Sequence, residues 1–448
     1  MSAAEWADVS IAELQAARKW ALNGGPFGSK LVSRDYVEAG VPVIRGANLP
    51  NDKRFSFEDF VFVSEEKADE LLANNAHPGD VVFTQRGTLG QVGIIPEDAP
   101  FTRFVISQSQ MKLTVDKARV DAMWLFYCFR DPSMQQEMIN RASSSGVPHI
   151  NLGVLREFKL RLPSLAEQRR IASILSAYDD LIENNTRRIA ILEEMARRIY
   201  EEWFVRFRFP GHEGVRMVES ELGLVPEGWE AKALGMLVAH SIGGGWGQET
   251  ESEEFAVPAY VIRGTDIPDV RQGSLGRSPC RFHKASNFRS RKLKGGDIVF
   301  EVSGGSKDQP VGRAVMVGDA LLERADAPVI CASFCRLVRA DKTQVLPELL
   351  QLHFERICES REIMQYQTQS TGITNFKFTV FLEKEIVLQP PASVQAQFAV
   401  TVRPMLQLAE NFGIKNAVLR TTRDLLLPKL ISGELDVSAL PEPEAIAI

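Results

Sequence analysis

LPSLAEQRRIASILSAYDDLIENNTRRIAILEEMARRIYEEWFVRFRFPG, Leu162 to Gly211, reads as a long amphipathic helix in the middle of a 448-residue chain. Pro163 closes a strand, and Ser164 with Glu167 forms a capping box that satisfies the first free N–H groups. Steps of fours and threes from Ile171 reach Leu175, Tyr178, Ile182, Asn185, Ile189, Leu192, Ala196, Ile199 and Trp203. That is the 3.5-residue seam of a coiled coil. The other faces carry RR, DD and EE pairs, which suit water. About 43 residues at about 1.5 Å each make a rod of about 65 Å before FPG (209–211) stops it.

The same phase returns near the C-terminus at Phe398, Val402, Met405, Ala409, Phe412, Asn416, Leu419, Arg423, Leu426 and Leu430. Pro404 is expected to kink this second helix, and Pro428 to end or bend it. Two helices with one apolar stripe each hide both stripes by pairing. An antiparallel pair would set whatever they carry at opposite ends; the other arrangement has each rod lying on its own module. Asn185 and Asn416 interrupt the seams, a device that fixes register at some cost in stability.

What the rods carry is a duplicated module. VPVIRGANLP (41–50) returns as YVIRGTDIP (260–268), and PGDVVFTQRG (78–87) as GGDIVFEVSG (295–304). ISQSQMKLTV (106–115) returns as ICASFCRLVR (330–339), and ASSSGVPHINLGVLREFKLRLP (142–163) as TQSTGITNFKFTVFLEKEIVLQP (368–390). The openings EWADVSIAEL (5–14) and GWEAKALGML (228–237) also match. The period is too long for a solenoid, so whole modules are repeated. Within each, short β-branched runs bounded by Gly, Pro and Asn alternate with helical stretches such as VDAMWLFYCFRDPSMQQEMINRA (120–142). The fold class is therefore α/β: two similar globular domains, 1–163 and 210–391, separated by helical regions 164–209 and 392–448, the last ending in an acidic tail.

Composition excludes several classes. No apolar run is long enough to span a membrane, and the N-terminus lacks the layout of a signal peptide, so a cytoplasmic protein is expected. Five cysteines form no CxxC pair. Cys331 and Cys335, four apart in VICASFCRLV, read as buried thiols on one face of a strand. Net charge is −6, yet Arg271 to Lys294 holds eight Lys/Arg and no acid. That strip is either a solvated loop or a phosphate-binding surface. GGPFGSK (24–30) is no phosphate-binding P-loop, GGGWG (243–247) opens no dinucleotide fold, and six scattered His form no ligand cluster. QPPA (389–392) lacks the polar-Pro-Pro-aromatic form that grips a flipped base. Asp297 and Glu301 resemble half of a nuclease carboxylate pair, but Ser303 stands where its lysine belongs. Catalytic and metal residues: none.

The chain resembles the specificity subunit of type I restriction–modification systems. NGGPFGSKLVSRDYVEAGVPVIRGANL (23–49) is similar to the opening of a target recognition domain of that family, LPSLAEQRRIASILSAYDDLIENN (162–185) to its first conserved helical region, and RDLLLPKLISGELDV (423–437) to the end of its second. The resemblance implies that each globular half reads half of a split double-stranded DNA site. The paired helices would set the gap and dock two modification (methyltransferase) subunits, through which restriction (translocase and nuclease) subunits attach. It further implies no cofactor in this chain, with S-adenosylmethionine, ATP and Mg belonging to those partners. HSIGGGWGQETESEEF in the second module does not match the GPFGS pattern of the first, so an asymmetric target is expected. The alternative is an orphan or regulatory paralogue that keeps the rods as a scaffold without binding DNA.

Base edges need donors and acceptors on positioned loops. The candidates in the first module are Ser29, Lys30, Arg45, Asn48, Gln85, Arg86, Thr88, Ser144, Ser145 and His149. In the second they are Trp246, Gln248, Arg263, Thr265, Asp266, Ser303, Ser306, Lys307, Ser370, Thr371 and Asn375. Arg281, Lys284, Arg289, Arg291 and Lys292 are candidates for phosphate. The repeated GANL and GTDI also fit a purely turn-forming role.

Overall fold

A computed structural model describes residues 6–142, 148–220, 222–304, 309–370 and 373–441. It divides into two compact units. One holds residues 1–183 with 419–448, the other 184–418.

In the first unit Ala7–Ser10 pairs with Lys159–Leu162 and so ties the start of the module to its end. Between them stands a four-stranded antiparallel sheet in the order Leu22–Gly24, Gln110–Leu113, Val81–Thr84, Val92–Ile94. A five-stranded sheet beside it pairs Val41–Ile44 with Phe104–Ile106 in parallel. The second unit repeats this plan. Glu230–Ala233 pairs with Ile386–Gln389, and a four-stranded sheet runs Val238–Gly243, Cys335–Ala340, Ile298–Glu301, Ala314–Met316. Val257–Ile262 again lies parallel to Val329–Cys331. Duplication thus holds at the level of sheet order as well as sequence.

Register corrects one correspondence. Ile44 faces Ile106 and Ile262 faces Cys331, so Ile106 matches Cys331 and not Ile330. Cys331 and Cys335 also lie on separate strands joined by a turn, not on one face of a single strand. Both are nonetheless fully buried. The helical stretch 120–142 is two helices, Ala122–Arg130 and Pro132–Asn140. Pro132 disfavours helical geometry at Asp131, whose carboxylate then caps the second helix by accepting from Ser133 N at 2.9 Å.

The long helices are Leu165–Tyr200 and Ala392–Ser432. The first starts on the expected box: Ser164 N donates to Glu167 Oε2 at 3.1 Å and Glu167 N to Ser164 Oγ at 3.3 Å. Its last turn, Glu201–Val205, is a wide π-turn, and Phe207 takes a left-handed conformation, so the helix stops short of 209. The second helix runs unbroken through Pro404 and past Pro428, which does not end it. Within the first unit Ile171 and Leu175 share a core with Leu427 and Leu430, and Arg423 pairs with Asp179. Within the second, Asn185 meets Asn416, Arg188 lies over Phe412, and Trp203 packs on Phe398. In each unit rising numbers on one helix meet falling numbers on the other, so the pairing is antiparallel. Ile171, Leu175, Ile182, Ile189, Phe398 and Val402 are buried. Tyr178, Leu192, Ile199, Met405, Phe412, Leu419 and Leu426 are half-buried.

The second helix also lies on its own module. A Cβ on Gly413 would stand 1.9 Å from the Gln272 carbonyl oxygen, and Glu410 accepts from Leu321 N. Beyond this helix, Gly433 lies against Trp6 and Val437 enters the core of the first module. That stretch is packed, not merely an acidic tail.

Candidate nucleic-acid interface

The loops leaving one end of each four-stranded sheet are laced together by main-chain hydrogen bonds. In the first module Gly25 N donates to Gln110 O at 2.8 Å, Gln85 N to Ser109 O at 2.7 Å, Ile150 N to Gln85 O at 3.1 Å and Ser107 N to Ile44 O at 2.9 Å. The second module repeats each bond: Gly244 N to Cys335 O, Val302 N to Phe334 O and Phe376 N to Val302 O, all at 2.9 Å, and Ala332 N to Ile262 O at 2.8 Å. Blocks far apart in sequence are thereby gathered on one rim. Arg86 bridges His149 in antiparallel fashion, and Ser303 pairs with Asn375 at the matching place. There Ser303 Oγ donates to Asn375 Oδ1 at 3.1 Å.

Two glycines make this closeness possible. A Cβ on Gly25 would lie 1.9 Å from Ser107 O, and one on Gly244 would lie 2.1 Å from Ala332 O. Sheet register sets Gly24 opposite Met111 and Gly243 opposite Arg336, which makes the two glycine pairs counterparts. The expected mismatch at this point is thus corrected. Gly25-Pro26-Phe27-Gly28 and Gly244-Gly245-Trp246-Gly247 occupy the same loop, and Gly28 and Gly247 both take a left-handed φ of 60° and 67°. The loops diverge only after that.

On the first rim Ser29, Lys30, Arg86 and Thr88 are exposed, His149 is half-buried and Gln85 is buried. On the second, Trp246, Gln248, Thr265 and Asn375 are exposed and Ser303 is half-buried. Ser144, Ser145, Ser306, Lys307 and Thr371 lie outside the described residues, as does the side chain of Ser370. Asn48 and Asp266 are buried and shape their turns. Asn48 Oδ1 accepts from Arg45 N at 2.8 Å, while its amide donates to Ser56 O and Glu58 O. Asp266 accepts from Arg263 N at 2.9 Å and from both ends of the same guanidinium. Burial alone would raise the Asp266 carboxyl, but bonds from Arg263 and Ser278 hold it below the usual carboxylate range. Arg45 reaches the Asp59 carbonyl. Asn48 and Asp266 therefore have little left for a base; they hold the loops that others would use.

Part of the basic strip is balanced by its neighbours. Arg281 lies 3.2 Å from Glu249 and its guanidinium stacks 4.6 Å over the Trp246 ring. Lys284 pairs with Glu254. Arg291 donates to Gly243 O at 2.9 Å and closes the short helix Ala285–Arg291 by bonding Asn287 O. Arg289 and Lys292 are exposed. Beneath Gly247 sits His283, whose pKa burial and then Arg281 and Arg291 push below its ordinary value, so it packs as a neutral ring. Asp297 and Glu301 are each gripped by an arginine. Arg339 makes two bonds to Asp297 at 2.7 and 2.6 Å, and Arg313 two to Glu301 at 2.9 and 2.8 Å. Among the described residues no cluster of His, Cys, Asp and Glu could hold a metal ion.

Two rim residues escaped the sequence reading: Phe27, 76% exposed, and Phe334, 62% exposed. The only signal for Phe27 was its flanking glycines. The arrangement as a whole offers hydroxyls, amides, guanidinia and aromatic faces on a hydrogen-bonded edge, the equipment for touching a polymer.

Residues 5–194 match a family model described as the type I restriction modification DNA specificity domain. The chain is 26% identical over 429 residues to the type I restriction enzyme MjaIX specificity subunit of Methanocaldococcus jannaschii, covering 91% of this chain and 89% of that one. It is 28% identical over 227 residues to the MjaVIII specificity subunit of the same organism, half of each chain. In fold it is similar to the crystal structure of a type I restriction-modification system S subunit from M. genitalium, with a TM-score of 0.58 at 15% identity over 95% of this chain and 96% of that one.

Proposed function

We propose that this chain is a specificity subunit of a type I restriction–modification system, as the family-model match over residues 5–194 and the similarity along nearly its whole length to such a subunit support, and that each module reads one half of a bipartite, asymmetric double-stranded DNA site. The paired helices set the gap between the half-sites and dock two modification subunits, through which restriction subunits join. The chain supplies positions and contacts. S-adenosylmethionine, ATP and Mg act in the partners.

One observation carries this reading: the duplicated rim. The same hydrogen-bonded frame occurs twice, while the side chains on it differ, Arg86 against Ser303 and His149 against Asn375. A shared frame with unlike side chains suits one binding mode directed at two base sequences. The test is methylation of DNA by the chain with and without its modification subunits, read by sequencing the modified sites. The complex is expected to mark a two-part sequence with unequal halves, and the chain alone nothing. Methyl transfer by the chain alone, or a mark confined to one contiguous sequence, contradicts the proposal. Arg86→Ala should weaken DNA binding and lower the slope of log affinity against log salt by about 1 if it meets a phosphate.

A further inference from the structure

Phe27 and Trp246 stand at one structural position in two modules whose loops otherwise diverge. Each follows a glycine or proline after the closely packed Gly25 or Gly244, and each precedes a left-handed glycine. Each ring is left in solvent, 76% exposed for Phe27 and 40% for Trp246. A single exposed apolar side chain needs no explanation. The same exposure at the same place twice, on a loop anchored by a glycine packed against a carbonyl oxygen, does. The Trp246 ring is held by the Arg281 guanidinium, itself anchored to Glu249. Apart from Phe334 in the second module, the rim around each ring is polar: Ser29, Lys30, Arg86 and Thr88 in one module, Gln248, Thr265 and Asn375 in the other.

We propose that Phe27 and Trp246 are specificity-determining contacts, each pressing its ring on a base or deoxyribose face of its own half-site. This rests on the reading above that each rim meets DNA. An aromatic face stacks on any base, and an apolar wedge is set by how readily a base step opens, so the rings select by deformability while the polar residues select by hydrogen bonds. Phe334, 62% exposed, lies on the turn that Gly244 packs against, where the first module has Ser109. The second half-site therefore meets a more aromatic surface than the first.

The experiment uses the full chain and double-stranded DNA enriched by it from a random library, with affinity read by fluorescence anisotropy at two salt concentrations. Phe27→Ala and Trp246→Ala are each expected to weaken binding to the enriched duplex about 10-fold or more, as loss of one base–aromatic contact does. Phe27→Tyr and Trp246→Phe should stay within about threefold, because a ring face remains. The salt slope should not change, since no phosphate contact is lost. Repeating the enrichment with each alanine variant should relax one half of the selected sequence and leave the other intact. Alanine variants that bind within about twofold of the wild type overturn the inference. So does a loss that appears only once modification subunits are added, which would make the rings protein contacts. A wild-type chain that enriches no sequence overturns the reading beneath, and shows it before any variant is made.

Discussion

Gly25 and Gly244 show how much one missing methyl group controls. With Cβ positions 1.9 and 2.1 Å from carbonyl oxygens, Gly25→Ala and Gly244→Ala must push apart backbone segments that the rim depends on. Each should cost more than about 2 kcal/mol in urea unfolding, by overpacking. Gly28 makes a useful contrast. It has a φ of 60° but open space around its Cβ, so Gly28→Ala should cost only about 1 kcal/mol of backbone strain. Equal costs for Gly25→Ala and Gly28→Ala would remove the steric argument. Asp266 allows a test by pH. Its carboxyl is held below its usual range in the fold, so its stabilisation is complete above an unfolded-state value of about 3.9 and is lost as pH falls through the folded value. Asp266→Asn copies the Asn48 of the first module and has no such proton to take up. The wild type should be the more stable near pH 7, and the gap should close as pH drops below about 4. A gap that stays constant down to about pH 3 contradicts this.

Between the helices, the decisive contact is Asn185 Nδ2 donating to Asn416 Oδ1 at 2.9 Å, with Asn416 Nδ2 donating to Thr186 Oγ1 at 3.2 Å. Both asparagines are buried. Replacing Asn185 takes the donor from Asn416 Oδ1, and replacing Asn416 takes the acceptor from Asn185 Nδ2, whereas replacing both removes this buried polar contact altogether. Asn185→Leu and Asn416→Leu should each destabilise by about 1–3 kcal/mol, with the double variant near or above the wild type. Additive single costs in a double-mutant cycle would mean that the two do not act as a pair. Sequence pattern had placed each asparagine in its seam. That they meet across 231 positions of chain is a fact of tertiary packing. The helix breaks differ in the same way. The break at Asp131-Pro132 obeys a local rule, proline acting on the residue before it, although 120–142 reads as one helical stretch by composition. The continuity past Pro428 was not legible, since the helix is held by packing of Phe398, Val402, Gly413, Leu427 and Leu430 that no local rule contains.

Across the whole chain, four of the five thiols report on the two units. Burial pushes Cys331 up to about 12 and raises Cys128 and Cys335 as well, while Cys280 is exposed. Iodoacetamide at neutral pH should therefore label Cys280 first. Cys128 should react only as the first unit opens, and Cys331 and Cys335 only as the second does. Rapid native labelling of Cys128 would contradict its burial. Under increasing urea, the order of labelling tells whether the units open separately. No helix among the described residues is long and apolar enough to cross a membrane.

The sequence by itself determined the two rods, their capped start, the doubled module and the family likeness, because these rest on local periodicity, local hydrogen bonding and internal repetition. Tertiary structure alone decided which residues stand on the rim. Gln85, Asn48 and Asp266 were chosen as polar loop residues and proved to be buried, while Phe27, which was not among the candidates, proved to be exposed. A side chain's access to solvent depends on what distant strands bring beside it. The main-chain bonds that join Gly25 to Gln110, Gln85 to Ser109 and Ile150 to Gln85 leave no trace in any one segment.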